Sequence, residues 1–325
     1  MTTPHGHPMR PALLDDQEAT RAKHGNGAVV VGIDGSASAV RAAVWAGAEA
    51  RRRERPLRLV QVYTLPQVRA PIAVGTCEQV RAGLAERAEG WLAEARTAVL
   101  AESPGLTITT GAREWSPVAA LIQESQHADL VVLGSRGLGG FTGLLVGSTA
   151  VSVVAHAHCP IVVVRGRMPQ DPPPAAGPVV VGADGSSDSD GALAFACEEA
   201  RLRSAGLTVV HTWSDVVADG VLRPHPVQDD AAEIDRVEHA RLADQVRPWR
   251  EKFPDLSIDL DVTRGRPVRA LLERAEHAQL IVVGCRGRGG FTGMLLGSTS
   301  QALIVHSPCP VAVVRSPDEG GDETR

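Results

Sequence analysis

The sequence predicts an α/β protein made of two tandem, doubly wound, parallel five-stranded sheets of Rossmann-like winding. Three observations carry this expectation. The chain repeats itself, since VVVGIDGS at 29–36 returns as VVVGADGS at 179–186 and GSRGLGGFTGLLVGST at 134–149 returns as GCRGRGGFTGMLLGST at 284–299. Asp34 against Asp184 and Gly134 against Gly284 give the same offset of 150. Each copy alternates short β-branched runs with helical segments, the pattern of strand–helix–strand units around a parallel sheet. Finally, 43% of residues are hydrophobic while only 3% are aromatic, so the core is built from Val, Leu, Ile and Ala, as a sheet covered by helices requires.

The offset also aligns LTITTG at 106–111 with LSIDLD at 256–261, and HCPIVVVR at 158–165 with PCPVAVVR at 308–315, so a whole domain is duplicated. The expected boundaries are a disordered tail at 1–27, a first domain at 28–165, a proline-rich linker at 166–177, a second domain at 178–316 and a tail at 317–325. In each domain VVVG opens the first strand. In the helix that follows, Val40, Ala43, Val44 and Gly47 share one face, as do Leu193, Ala196, Cys197 and Ala200 in the second copy. A second strand follows (LRLVQVY, LTVVHTW), then a longer segment ending in a helix around Trp91 or Trp249, and a third strand. A short helix begins at Ser116-Pro117 or Arg266-Pro267, with proline suited to the first turn. The fourth strand (LVVLG, LIVVG) leads into a glycine-rich loop, a helix and the last strand, IVVV or VAVV.

The formal charge of −5 argues against nucleic acid, which asks for a basic face. The basic run Arg51–Arg53 with Arg55 falls where the first helix ends and reads as a solvated helix terminus. Five cysteines without a C-x-x-C pair speak against a disulfide framework or a zinc site. Neither a membrane span nor a signal peptide is visible, and a cytoplasmic location is expected. His156 and His306 are expected to pack in the core or an interface, and Cys159, Cys285 and Cys309 to be small packed thiols.

In such sheets ligands bind beyond the carboxyl ends of the strands, where the winding direction reverses. Two features of each copy arrive there. One is the acid that closes the first strand, Asp34 or Asp184. The other is the loop of form G-x2-G-x9-G-S, with Gly134, Gly137, Gly147 and Ser148 in the first copy and Gly284, Gly287, Gly297 and Ser298 in the second. Glycine permits positive φ and close approach of backbone amides, and a helix starting at Gly147-Ser148 would aim free N–H groups and its positive dipole end at an anion. Turns and a helix cap would account for a single such loop, but here the loop occurs twice, each time paired with D-G-S. Arg136 and Arg286 could neutralise phosphate or reach into solvent. The copies differ at Leu138/Arg288, Ser135/Cys285 and Asp129/Gln279, and the extra cation Arg288 leads to the expectation that the second site holds a triphosphate more tightly.

With G-x2-G-x9-G-S, D-G-S and the C-P-V-like endings, both halves resemble the ATP-binding branch of the universal stress protein family, from about Ala28 to Arg165 and from about Pro178 to Arg315. The resemblance implies a fold like that of the adenine nucleotide alpha hydrolases. It implies ATP as ligand, with or without Mg2+, Asp34 and Asp184 on the ribose, and the glycine loops with Ser148, Thr149, Ser298 and Thr299 on the phosphates. Backbone near Val62 and Thr212 would meet the adenine. It further implies that IVVV at 161–164 and VAVV at 311–314 pair within the chain as an intramolecular pseudo-dimer, and that two chains could associate as a homodimer.

There is no Walker lysine and no S-G-G-x-D-S loop, and no positioned base is recognisable. A nucleotide-responsive regulator that acts on a protein partner is therefore expected, with at most slow hydrolysis. The alternative is a slow ATPase or nucleotidyl-transferring enzyme in which Asp34 or Asp184 holds a metal.

Overall fold

The computed structural model describes residues 27–65, 74–137, 146–168, 170–213, 228–287 and 295–315. The expected tails and the Leu138/Arg288 difference lie outside the described residues. In the first half the order is β1 (Ala28–Ile33), α1 (Ala37–Arg52), β2 (Leu57–Tyr63), α2 (Val74–Glu102), β3 (Ile108–Glu114), α3 (Pro117–Ser125), β4 (Ala128–Gly134), α4 (Ser148–His156) and β5 (Ile161–Val164). The second half repeats it as β6 (Val179–Gly182), α5 (Ser187–Leu202), β7 (Leu207–Trp213), α6 (Gln228–Lys252), β8 (Ile258–Arg264), α7 (Pro267–Ala275), β9 (Leu280–Gly284), α8 (Ser298–His306) and β10 (Val311–Val314).

The strands form one continuous sheet in the order β3-β2-β1-β4-β5-β10-β9-β6-β7-β8. Within each half all pairings are parallel, and the first strand lies between the second and the fourth. The chain winds outward from β1 to β3, then returns to the other side for β4, which makes the β1/β4 gap the switch point. At the centre β5 and β10 pair antiparallel, with Ala312 opposite Val162. The two edges expected to meet therefore do so within the chain, and neither is left as an open template.

Two aliphatic layers flank the sheet. One joins the strands to α1, α2, α5 and α6 through residues such as Ala46, Leu92, Leu193 and Leu242. The other joins them to α3, α4, α7 and α8 through Leu121, Val153, Leu271 and Leu303. The α5 face is as expected, with Leu193, Ala196, Cys197 and Ala200 all at 0% exposure. On α1 the face is rotated from the expected one: Ala39, Ala42, Ala43, Ala46 and Ala50 are buried, while Val40 and Val44 are half-buried. The alanine side wins because its small side chains let the helix backbone come close to the sheet. Each buried methyl contributes about 0.8 kcal/mol.

Both helices are capped alike, Ala39 N–H donating to Ser36 Oγ at 3.1 Å and Ser189 N–H to Ser186 Oγ at 3.2 Å. Both also end alike, on left-handed residues, Glu54 at φ 54° and Ser204 at φ 51°.

The basic run at the end of α1 is a correction to the sequence reading. Arg53 is not solvated: its side chain is 12% exposed and donates to the fully buried Glu49 at 2.8 Å. Arg203 of α5, with a side chain 2% exposed, reaches Glu49 across the pseudo-twofold axis at 2.7 Å. Both arginines also pair with Glu199. The guanidinium of Arg53 lies over Phe195 at 5.3 Å, and that of Arg203 over Trp45 at 5.5 Å. These six residues are three equivalent pairs at the offset of 150, so the duplication itself builds a closed ionic cluster between the halves. Burial, together with the charge of Glu49, pushes the Glu199 carboxyl up to about 7. Burial pushes Glu49 upward too, but Arg203 and Arg53 outweigh it and hold that carboxyl below its ordinary range.

A second reciprocal contact closes the centre. Arg165, after β5, donates to Ser307 O at 3.0 Å and Ile304 O at 2.9 Å at the end of α8, while Arg315, after β10, donates to Ala155 O at 2.5 Å at the end of α4. Each arginine thus serves the carboxyl end of the other half's helix, where orphan carbonyls and the negative dipole end favour a cation.

Candidate functional site

The switch point of the first half opens into a cleft of about 420 Å³. Val62, Leu121 and Leu133 form an apolar end, and Asp34, Arg136, Gly137, Gly147, Ser148 and Thr149 a polar one. A volume in this range and such a division of lining suit a small molecule with one apolar and one charged part. The expected residues of the first half are therefore brought together.

Asp34 is held by its own loop, its Oδ1 accepting Ser36 N–H at 3.0 Å. Asp184 repeats this with Ser186 N–H at 2.9 Å and also accepts the Ser186 hydroxyl at 2.6 Å. The bend needs positive φ at the glycine of D-G-S, +83° at Gly35 and +75° at Gly185. The loop glycines differ from expectation here, since none of those described has positive φ. Their role is room. A Cβ on Gly137 would come within 2.3 Å of Asp34 Oδ2, and one on Gly287 within 2.5 Å of Asp184 Oδ2. The second glycine of each loop thus lies against the aspartate of D-G-S, which ties together two motifs about a hundred residues apart in sequence.

The third glycine begins a helix. Gly147 is the N-cap of α4 and Gly297 that of α8, and among the described residues no side chain caps either helix. Ser148 and Ser298 are first helical residues, both exposed, and Thr149 and Thr299 follow them half-buried. Among the described residues α4 and α8 begin without a side-chain cap, as α3 and α7 also do, and at α4 Gly147, Ser148 and Thr149 line the cleft. Gly147 N–H donates to Ser135 O at 3.0 Å and Gly297 N–H to Cys285 O at 2.8 Å, so each loop folds back on its own start. Ser36 Oγ anchors the first loop through Arg136 O at 3.1 Å. In the second half Gly284, Gly287 and Gly297 stand at the equivalent positions, with Thr212 on β7 where the first half has Val62.

Three features were missed by sequence reasoning. Asp188, only 5% exposed, accepts Arg286 N–H at 3.0 Å and Arg286 Nε at 3.4 Å. The first half has Ser38 there, whose Oγ accepts Arg136 N–H at 3.4 Å. The offset of 150 aligns Ser38 with Asp188, so the signal was present in the repeat itself. Trp91 lies on the D-G-S loop, so close that a Cβ on Gly35 would meet its indole at 2.2 Å. Arg41 of α1 lies within the field of Arg136: burial and that charge both hold its guanidinium below its ordinary range.

His156 and His306 are exposed in the last turns of α4 and α8, not packed as expected, and His156 Nδ1 lies 2.9 Å from Ser152 O of its own helix. Cys285 is a buried thiol against Leu295 O at 3.2 Å, with its pKa raised by burial.

The universal stress protein family model matches residues 25–165 and again 176–315. The chain belongs to the universal stress protein family. Among curated universal stress proteins, one from Mycolicibacterium smegmatis is 38% identical over 294 residues, covering 88% of this chain and 96% of its own. Another, from Mycobacterium tuberculosis strain H37Rv, is 36% identical over 291 residues, with the same coverage of 88% and 96%. Both are matched over nearly their whole length, so this universal stress protein shares their tandem organisation. The crystal structure of a universal stress protein from Archaeoglobus fulgidus superimposes with a TM-score of 0.61 at 22% identity, over 90% of this chain and 97% of that one, which supports the fold. Among the described residues no helix is long and apolar enough to cross a membrane.

Proposed function

We propose that this universal stress protein binds adenine nucleotide in each half, ATP with or without Mg2+, and acts in the cytoplasm as a regulator whose occupancy governs how it meets a protein partner, not as a fast catalyst. The observation that carries the reading is the contact of the D-G-S aspartate with the second loop glycine at each switch point, next to a helix start that no side chain caps. A nucleoside phosphate presents what that arrangement can receive: hydroxyls for a carboxylate, oxyanions for backbone amides, and a flat apolar base for an aliphatic wall.

In this reading Asp34 and Asp184 accept from the ribose hydroxyls. Gly137, Gly147 with Ser148 and Thr149, and Gly287, Gly297 with Ser298 and Thr299, hold the phosphates with Arg136 and Arg286, while strand backbone at Val62 and Thr212 borders the base. Bound nucleotide supplies charge that ties the loop to the helix start, and so a means of changing the surface around it.

The first measurement is mass spectrometry of small molecules released from freshly purified, denatured protein, with adenine nucleotide as the expected finding. Calorimetric titration with ATP is then expected to show two binding events in the wild type, one in Asp34→Ala or Asp184→Ala, and none in the double variant. Undiminished binding by the double variant would remove the reading. Single-turnover hydrolysis faster than about one per second would move the protein among ordinary enzymes.

A further inference from the structure

The two switch points share their motifs but not their charge, and the difference lies in one side chain beside the loop. In the first half Arg136 lines the cleft and its backbone N–H meets the neutral hydroxyl of Ser38 at 3.4 Å. At the offset of 150 the second half has Arg286 for Arg136 and Asp188 for Ser38. Asp188 is buried in the first turn of α5 and directs Oδ2 at the loop, accepting the Arg286 backbone N–H at 3.0 Å and its Nε at 3.4 Å. A carboxylate thus already holds one of the loop amides and pairs with the loop arginine. Any phosphate at the second switch point must compete with it or lie beside it.

We infer that Asp188 makes the two sites unequal, the second holding a polyphosphate less tightly than the first and distinguishing less between ATP and uncharged nucleoside. The inference rests on the proposed nucleotide reading and deepens it. It reverses the ranking expected from Arg288, a residue outside those described, because Asp188 already occupies a loop amide and sets a carboxylate beside the loop, and a buried carboxylate is poorly screened by salt.

The test combines calorimetry with tryptophan fluorescence in a Trp213→Phe background, because Trp213 follows Thr212 in the second half, whereas Trp91 rests on the D-G-S loop of the first half and its counterpart at position 241 is Arg. With ATP, the wild type is expected to show two classes of site at least about tenfold apart, the tighter one coinciding with the Trp91 change. With adenosine, which carries no charge, the two classes should draw to within about twofold. Asp188→Asn, which keeps the shape, and Asp188→Ser, which copies the first half, should each strengthen the weaker class for ATP about tenfold. Equal sites in the wild type, a tight class silent at Trp91, or a weak class unmoved in both Asp188 variants would each overturn the inference while leaving nucleotide binding intact. Absence of any binding would instead sink the reading on which it rests.

Discussion

Replacing Arg203 with Met removes one of two cations that Glu49 and Glu199 share between the halves. In the wild type Glu49 is 0% and Glu199 1% exposed, and each carboxylate has both arginines as partners. After the change, the two buried carboxylates share Arg53, with Arg52 reaching only Glu49 at 3.3 Å, and Trp45 loses the guanidinium 5.5 Å from its centroid. Removing one partner of a buried ionic group costs about 3–5 kcal/mol at neutral pH, because a charge is left uncompensated.

The cost should depend on pH, and its sign follows from linkage. Glu199 in the folded protein has its pKa raised to about 7, above the unfolded value, so the native state holds the extra proton in between. Stability from this group is present at low pH and is lost as pH rises through about 7. Losing Arg203 raises the carboxyl pair further, so the destabilisation of Arg203→Met should shrink by about 1–2 kcal/mol between pH 7.5 and pH 5.5, at 1.36 kcal/mol per pH unit of differential binding. Urea unfolding of wild type and variant at both pH values, followed by far-UV circular dichroism, measures this. A loss below about 1 kcal/mol, or one equal at the two pH values, would show that the cluster is either hydrated or unimportant to the junction.

Two other expectations concern single residues. Glu54 and Ser204 end their helices at φ 54° and 51°, so Glu54→Gly and Ser204→Gly should each stabilise the fold by about 1 kcal/mol, seen as a higher thermal midpoint. Burial pushes the Cys159, Cys197 and Cys309 thiols up to about 12, so they should resist a thiol reagent at pH 8 in native protein and react promptly once it is unfolded in urea; prompt native reaction at these positions would contradict their packing.

Local chemistry made much of this protein readable. The β-branched runs could only be strands buried on both faces, Pro117 and Pro267 marked helix starts, and a fixed offset of 150 declared two copies. Alternation of strand and helix then left doubly wound sheets as the natural arrangement, and D-G-S and the loop glycines were assigned to its switch point. The residues that resisted were those whose partners lie in the other half or across the switch point. Arg53 looked solvated because nothing near it in sequence reveals Glu199, 146 residues away, or Phe195 beneath it. Asp188 went unnoticed because its contact with Arg286 spans 98 residues. Even the buried face of α1 was misjudged, since periodicity finds a stripe but only the sheet decides which stripe it accepts. Periodicity, caps and turns act over a few residues and are written in the chain; the burial of a charge and the electrostatic balance of a cleft depend on which distant groups the fold brings within a few ångströms, and these only the tertiary structure could decide.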